Sequence, residues 1–352
     1  MAAKRLYTIP AGLPFAKALA EHLWKTHPPE TLPHVQILLP TRRACRTVRE
    51  AFLHMTEGRP LMLPRLQPLG DVEEDALALE TLPGEDLLDL PPALSPLRRQ
   101  LLLARLIYGL KDFSHSFEQA LNLARALGHL MDQIHTEGLD FSALPALVPD
   151  DFAQHWQITL QFLDVLRLHW PRVLEEEGAI DAAERRVRLI RARTAQWKNH
   201  PPQTPVIAAG STGSIPATAE LLDVIAQLPQ GVVVLPGLDT AMDEASWDSM
   251  TESHPQYGFK ILLQHLQVER EGVTLWPAAG GAAHPQRMKA RRLLAREMMR
   301  PAATSETWTD LRTQEIFQKA LPQAMEGLRR AVCKHEQEEA QCIALSLRAA
   351  LE

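Results

Sequence analysis

The chain has 352 residues, of which 45% are hydrophobic, and its formal net charge is -6 at pH 7. This length predicts two or three structural units, and the acidic balance excludes a wholly basic nucleic-acid binder but allows a local basic groove. No apolar run is long enough to cross a bilayer and the N-terminus has no signal-peptide core, so we expect a cytoplasmic protein without membrane contact. The spacing of Cys45, Cys333 and Cys342 predicts reduced thiols.

The N-terminal part alternates strands and helices, which is the pattern of a parallel sheet with right-handed crossovers. The helix after the first strand carries Phe15, Leu19 and Leu23 on one face, and the helix after the second ends near Thr56. The acidic stretch 71–89 is expected to be an exposed loop. The predicted strands of this part are 5–9, 35–39 and 61–63.

Residues 91–200 show helical periodicity alone, so we expect an all-helical module inserted between strands of one sheet. Pro171 is expected to bend the third helix, and Asp181 with Glu184 is expected to form a capping box on the fourth. The four predicted helices begin at or near Ser95, Ser116, Asp150 and Asp181.

The sheet resumes at Pro205. A strand around Val206 and Ile207 ends in a small polar loop, a helix follows that we expect Ser214 to cap, and Val232–Leu235 completes another strand–helix–strand unit. The last helix, 336–352, is amphipathic and lacks a C-terminal cap, so we expect the natural protein to continue beyond residue 352. Between these parts, helices are predicted at 242–250, 257–266 and 286–300, and strands at 273–276 and 329–333.

Two loops of such a sheet are where an ATPase holds phosphate and magnesium. A phosphate-binding loop needs glycines, a Lys and a Ser or Thr. If Gly12 is set on the last glycine of that motif, Leu13 and Pro14 occupy the Lys and Ser/Thr positions. The strand that would carry magnesium-binding carboxylates ends in Ala208–Gly210, and the next carboxylate is Glu220. Both losses predict a degenerate nucleotide site that binds neither ATP nor magnesium.

The loop after the second strand has a different composition. Arg42 and Arg43 stand at the end of a parallel strand beside a helix N-terminus, which suits contact with a phosphate backbone, and Thr41 adds a hydroxyl and the expected N-cap. A capped helix with two solvated arginines explains the same residues equally well.

The loop at 211–214 also has two interpretations. Its hydroxyls and N–H groups suit a phosphate backbone, but a capped turn accounts for them almost as well. The candidate DNA-binding residues of this loop are Ser211, Thr212 and Ser214.

Two further arginine runs lie on predicted helices. Because their side chains spread around the helix circumference, each run is more typical of a solvated face than of a nucleic-acid site. The two runs are Arg185, Arg186, Arg188, Arg191 and Arg193, and Arg287, Lys289, Arg291, Arg292, Arg296 and Arg300.

His129, Asp132 and His135 are spaced three apart along one helix. Two-histidine helical metal sites favour a separation of four, and no further ligand cluster is visible, so we predict polar surface residues and no metal site.

Several segments resemble a known family. They are LYTIPAGLPF, VQILLPTRRACRTVREAF, LPRLQPLGDVEED, SPLRRQLLLARLI, HWQITLQFLDVL and, above all, VIAAGSTGSIPATAELL with VVVLPGLD and HPQYG. Over essentially its whole length the chain resembles the N-terminal part of the AddB family in its alphaproteobacterial form. AddB is the second subunit of the AddAB helicase-nuclease, which processes DNA double-strand breaks for recombination.

The resemblance implies a P-loop-NTPase-like, superfamily 1 helicase fold: residues 1–92 and 201–300 form an α/β domain 1A, 93–200 a helical insertion 1B, and 301–352 a linker and the start of domain 2A. It places Thr41, Arg42 and Arg43 at the single-strand-binding helicase motif Ia. The ATP-driven motor belongs to the AddA-type partner, whereas AddB scans the strand for Chi. The nuclease residues and the iron-sulfur cluster belong to a C-terminal region outside this chain.

Two alternatives remain open at this point. One is an active ATPase with an unusual motif, and the other is a protein-interaction platform for the motor subunit that makes no DNA contact of its own.

Overall fold

A computed structural model describes residues 4–56, 59–69, 90–110, 116–139, 163, 168–277, 285–311 and 313–352. The chain divides into two compact units. The first contains Met1–Ala241 and Met250–Gly280, and the second contains Met242–Ser249 and Gly281–Glu352. The predicted division into domains 1A, 1B and 2A stays a prediction.

The first unit is built on a six-stranded sheet in which every pair of neighbouring strands is parallel. The strand order is β3-β2-β4-β5-β1-β6. The α/β class with a parallel sheet is therefore confirmed. The strands are β1 Leu6–Ile9, β2 Gln36–Leu39, β3 Arg65–Pro68, β4 Val206–Ala209, β5 Gly231–Pro236 and β6 Thr274–Leu275.

Thirteen α-helices lie in the described parts of the chain, together with short 3-10 turns. They are α1 Phe15–Thr26, α2 Arg42–Met55, α3 Pro96–Gly109, α4 Phe117–Glu137, α5 Trp170–Glu177, α6 Ala182–Asn199, α7 Pro216–Gln227, α8 Glu244–Asp248, α9 Tyr257–Leu266, α10 Pro285–Met298, α11 Trp308–Leu311, α12 Glu315–Met325 and α13 Glu336–Leu351.

Helices cover both faces of the sheet. The chain leaves β2 toward β3 but leaves β4 toward β5, in the opposite direction, so right-handed crossovers put α2 and α7 on opposite faces. Ile37, Ile207 and Val234 point from alternate positions of three strands into a core shared with α1 and α2. Burial of these aliphatic side chains stabilises the sheet by roughly 1.5–3 kcal/mol each.

A second core holds the helical stretch between β3 and β4 together. Leu103 and Ile107 of α3 pack with Ala124 and Met131 of α4 and with Trp170 of α5. In the described parts of residues 90–200, an isolated parallel bridge between Ala93 and Ile180 accompanies these helices. Helix α6 packs on α7, which connects the helical layer to the sheet.

Two predicted strands are wrong. Residues 61–63 are unpaired, because Pro60 and Pro64 on either side have no N–H for a ladder, and the pairing with β2 begins at Arg65. Leu61 and Leu63 nevertheless pack against the core, which explains their apolar character. Residues 328–333 have no regular secondary structure.

The start of the third predicted helix at Asp150 and the acidic stretch 71–89 lie outside the described residues. Pro171 lies in the first turn of α5, where its missing N–H costs nothing, and the bend predicted there stays a prediction because most of the preceding helix lies outside the described residues. Asp181 occupies the N-cap position of α6 without making the predicted capping box, because its side chain binds elsewhere.

Candidate nucleic-acid interface at the sheet edge

The predicted DNA-binding loops after β2 and β4 are brought together by the sheet. Strand β2 pairs with β4, Leu38 opposite Ala208, so both loops leave the same carboxyl edge side by side. A methyl group added to Gly210 would lie 3.5 Å from Cδ of Pro40. Because the chain leaves the two strands in opposite directions, this is a topological switch point, where α/β sheets bind their ligands.

Helix α2 begins directly at this edge. Thr41 is its N-cap, as predicted, and its hydroxyl accepts a hydrogen bond from the Ala44 N–H at 3.1 Å. Arg42 and Arg43 follow in the first turn, and both are exposed. The positive end of the helix dipole and the two guanidinium groups therefore favour an anion at the same place.

The loop after β4 is a tight polar turn. The Ser211 hydroxyl accepts a hydrogen bond from the Gly213 N–H at 3.2 Å. Gly213 has φ of 62°, and a methyl group there would lie 2.6 Å from Cδ1 of Leu262 on α9, so the loop approaches that helix closely. Thr212 is half-buried, and Ser214 is exposed.

The prediction that Ser214 caps α7 is wrong. Ile215 occupies the N-cap position, and no side chain caps the helix. Pro216 begins the helix, and a residue before proline is held in an extended conformation, which makes Ile215 the boundary. The Ser214 hydroxyl is thus exposed beside the loop and not used by α7.

The loop after β1 does not fit a triphosphate. Gly12 has φ of 87°, and the Leu13 N–H binds the Pro10 carbonyl at 3.3 Å, which closes a short turn. With Gly12 as the last glycine, the first glycine of a phosphate-binding motif would fall on Tyr7, inside β1 and packed edge-on against Trp276. The loop is therefore too short to surround phosphates, in addition to having Leu13 and Pro14 at the key positions.

The loop after β5 contains a feature that sequence reasoning missed. Gln256 clamps this loop: its amide donates to the Gly237 carbonyl at 3.1 Å, and its oxygen accepts from the Asp239 N–H at 2.9 Å. The Asp239 carboxylate accepts from the Ala241 N–H at 3.0 Å and so stabilises the turn. The HPQYG segment, which carries Gln256, gave no signal of this role without the fold.

The arginines of α6 are largely engaged within the protein. Arg185 is buried and donates to the Pro91 carbonyl at 2.8 Å, Arg188 pairs with Glu184, and Arg193 stacks on Trp197. These contacts hold the helical layer together. The prediction of a solvated face is therefore wrong for Arg185 and Arg193, which are buried.

The basic helix α10 of the second unit is similarly occupied. Arg291 donates to the carbonyls of Ala324 and Glu326, and Arg300 pairs with Glu297 and Asp243 at 2.8 Å each. Burial alone would raise the pKa of the Asp243 carboxyl. Hydrogen bonds from Ser246 and Arg300, together with the positive charge of Arg300, hold this pKa below its usual value. These arginines fix α10 to its neighbours.

Asp181 is the centre of a buried polar cluster. Its carboxylate has no exposed surface and lies 2.7 Å from Nε of Arg99, 2.8 Å from Nε1 of Trp170 and 3.6 Å from Nε2 of His135. Arg99 also pairs with Asp132 at 2.8 Å. Burial alone would raise the pKa of Asp181, but His135, Arg99 and Trp170 together hold it below its usual value.

The same cluster contains the nearest approach to a metal site in the described residues. Ligand atoms of His135, Asp181 and Glu184 lie within 4.8 Å of one another. However, Arg99 already neutralises the Asp181 carboxylate, and Arg188 pairs with Glu184. Protein cations thus pair with two of the three donors. Of the predicted surface group, His129 is exposed and Asp132 is half-exposed, but the prediction is wrong for His135, which is largely buried beside Asp181.

None of the protein-family models matches this sequence, and no curated protein is similar to it. Among the described helices, none is long and apolar enough to cross a membrane.

Proposed function

We propose that this chain binds the backbone of single-stranded DNA at the paired loops after β2 and β4. It does so as a non-catalytic, scaffolding part of a cytoplasmic helicase-nuclease that processes double-strand breaks. The resemblance to the AddB family supplies the biological setting, including an AddA-type motor partner, forked DNA as substrate and Chi scanning by the complex. The single observation that carries the proposal is that Thr41–Arg43 and Ser211–Ser214 meet at one topological switch point.

The chemistry of the two loops supports a phosphate backbone as the ligand. One loop offers two exposed guanidinium groups beside a helix N-terminus, and the other offers hydroxyl groups at the same edge of the sheet. Such groups recognise phosphate and sugar without reading sequence, so we expect little base preference at this site. Reading of Chi belongs to residues that we do not assign.

The sheet suits a superfamily 1 helicase fold that has lost its nucleotide site. In such a fold the loops after β1 and β4 would be the phosphate and magnesium loops, but Leu13, Pro14 and Ala208–Gly210 supply neither the Lys nor the carboxylates. We therefore assign ATP hydrolysis to the partner subunit. Calorimetric titration with ATP and magnesium tests this, and saturable micromolar binding would establish the alternative, an active ATPase with an unusual motif.

The DNA site is tested by replacing its two arginines. Arg42→Ala with Arg43→Ala should weaken binding of a fluorescent oligothymidylate in anisotropy titrations. The salt dependence should also become less steep, by about 0.7 in log–log slope for each lost phosphate contact. Arg186→Ala with Arg188→Ala is the matched control, since it removes the same charge from exposed positions of α6 in the same unit.

Equal affinity in the site variant and the control variant would remove the assignment. If the unaltered chain binds no DNA but captures the motor subunit in a pull-down, the protein-interaction platform is the correct function.

A further inference from the structure

Helix α2 carries more arginine than the loop site uses. Arg46 and Arg49 follow Arg42 at intervals of four and three residues, so the three side chains form one stripe along the helix. All of them are exposed, whereas Cys45, Val48 and Phe52 on the neighbouring face of the helix are buried in the core. We call Arg42, Arg46 and Arg49 the α2 stripe.

The distal part of the stripe has no internal partner. Within the described residues, neither Arg46 nor Arg49 forms an ion pair, although Glu50 stands four residues after Arg46, at the spacing of a helical pair. The arginines of α6 and α10, by contrast, hold carboxylates or carbonyls of their own unit. Exposed arginines that form no ion pair, such as Arg46 and Arg49, are an electrostatic footprint for a polyanion.

The stripe is continuous with the proposed binding loops. Helix α2 begins at the switch point and rises 1.5 Å per residue, so Arg49 lies about 10 Å along the axis from Arg42. A strand whose phosphates contact Arg42 and Arg43 at the edge can therefore continue over the exposed side of the helix. Hydroxyl groups at the edge and guanidinium groups beyond it suit a phosphate backbone better than an acidic protein surface.

We infer that Arg46 and Arg49 extend the DNA-binding site, so that the bound strand leaves the sheet edge and runs along α2. This inference rests on the proposed function and adds to it the direction of the strand and two contact residues. It predicts that the extension matters most for strands long enough to reach it from the sheet edge.

The test compares oligothymidylates of roughly 4 and roughly 16 nucleotides, the range over which single-strand sites usually extend. Arg46→Ala with Arg49→Ala should weaken binding of the short strand less than binding of the long strand, because the short strand makes fewer contacts along the stripe. The same variant should lower the log–log salt slope of the long strand by about 0.7 per lost contact. Arg46→Lys with Arg49→Lys keeps the charge and should restore most of that slope. The control is again Arg186→Ala with Arg188→Ala.

The possible outcomes are separable. If Arg46→Ala with Arg49→Ala matches the control on the long strand, while Arg42→Ala with Arg43→Ala is impaired on both strands, the extension is wrong and the proposed function stands. If the Arg42/Arg43, Arg46/Arg49 and Arg186/Arg188 alanine variants all bind DNA as the unaltered chain does, both the extension and the proposed DNA site are wrong. Circular dichroism melting of each variant checks that α2 remains folded, as its exposed positions lead us to expect.

Discussion

Helix α2 and the polar cluster around Asp181 both depend on arginine, but the two differ in what surrounds the guanidinium group. Arg99 is 12% exposed and contacts two carboxylates and the Gly128 carbonyl, so its charge is neutralised inside the protein. Arg46 and Arg49 are exposed and form no ion pair with any described residue.

This difference shows why the density of arginine in a sequence does not identify a nucleic-acid site. By arginine density alone, α6 and α10 are about as good candidates as α2. The fold assigns their arginines to Pro91, Glu184, Ala324 and Glu297 and leaves Arg46 and Arg49 of α2 facing solvent. The helices are distinguished by whether carboxylates and carbonyls of the protein accept hydrogen bonds from their arginines. Only the three-dimensional structure reveals this.

The largest expected change in the free energy of unfolding comes from the buried cluster around Asp181. Asp181→Ala leaves Arg99 without its buried partner and should lower the free energy of unfolding by about 3–5 kcal/mol. Urea denaturation followed by circular dichroism measures this. Asp132→Ala is the matched control, because its half-exposed carboxylate also pairs with Arg99 and should contribute no more than about 1 kcal/mol. Similar losses in the two variants would contradict the view that Asp181 is the centre of the cluster.

A smaller effect of the same origin should appear in acid. The pKa of Asp181 lies below its usual value of 3.8 in the folded protein, so its stabilising contribution is present above that pH. The contribution is lost as the pH falls below 3.8 through the folded-state pKa. Unfolding free energies measured from neutral pH to pH 3 should decline more steeply for the unaltered chain than for Asp181→Asn. Parallel curves would exclude Asp181 as a source of acid sensitivity.

A distortion of the loop after β4 should lower the free energy of unfolding by less than the loss of the Asp181 carboxylate, but by more than the loss of a helix cap. Gly213→Ala combines a positive φ with a contact of 2.6 Å to Leu262, and should cost about 1–3 kcal/mol and weaken strand binding without any change in charge. Gly258→Ala on α9 is the control, since the nearest atom, Cβ of Thr212, is 3.9 Å away. Normal DNA affinity in a destabilised Gly213→Ala variant would separate this loop from the binding site.

Much of the fold could be predicted from the sequence, because strand–loop–helix order is a local property. The boundaries of β1, α1, α9 and the cap at Thr41 follow from apolar periodicity and capping chemistry. The wrong predictions concern segments whose structure is determined by contacts with residues distant in the sequence. Residues 61–63 are apolar because they cover the core, and Asp181 precedes a helix but binds Arg99 and Trp170 from other helices.

The candidate site was predictable only in parts. Thr41–Arg43 and Ser211–Ser214 were each ambiguous, since a capped helix or turn explains either loop. Their adjacency comes from the pairing of β2 with β4 across a long insertion, which no local pattern contains. Gln256 was missed for the same reason, because its two partners lie 19 and 17 residues before it.

The smallest expected effect concerns the start of α2. Thr41→Ala removes the hydrogen bond to the Ala44 N–H and should lower the free energy of unfolding by about 1 kcal/mol, whereas Thr41→Ser should retain most of it. Thr47→Ala, in the interior of the same helix, should cost less, because its hydroxyl binds the Arg43 carbonyl, which already belongs to the helix.

DNA affinity adds a second readout. If Thr41 only caps α2, Thr41→Ser binds oligothymidylate normally and Thr41→Ala weakens binding without altering the salt slope, because no charge is lost. A change of the salt slope in Thr41→Ala would instead mean that the orientation of Arg42 and Arg43 depends on the cap. The stability of α2 and its binding of DNA would then be linked.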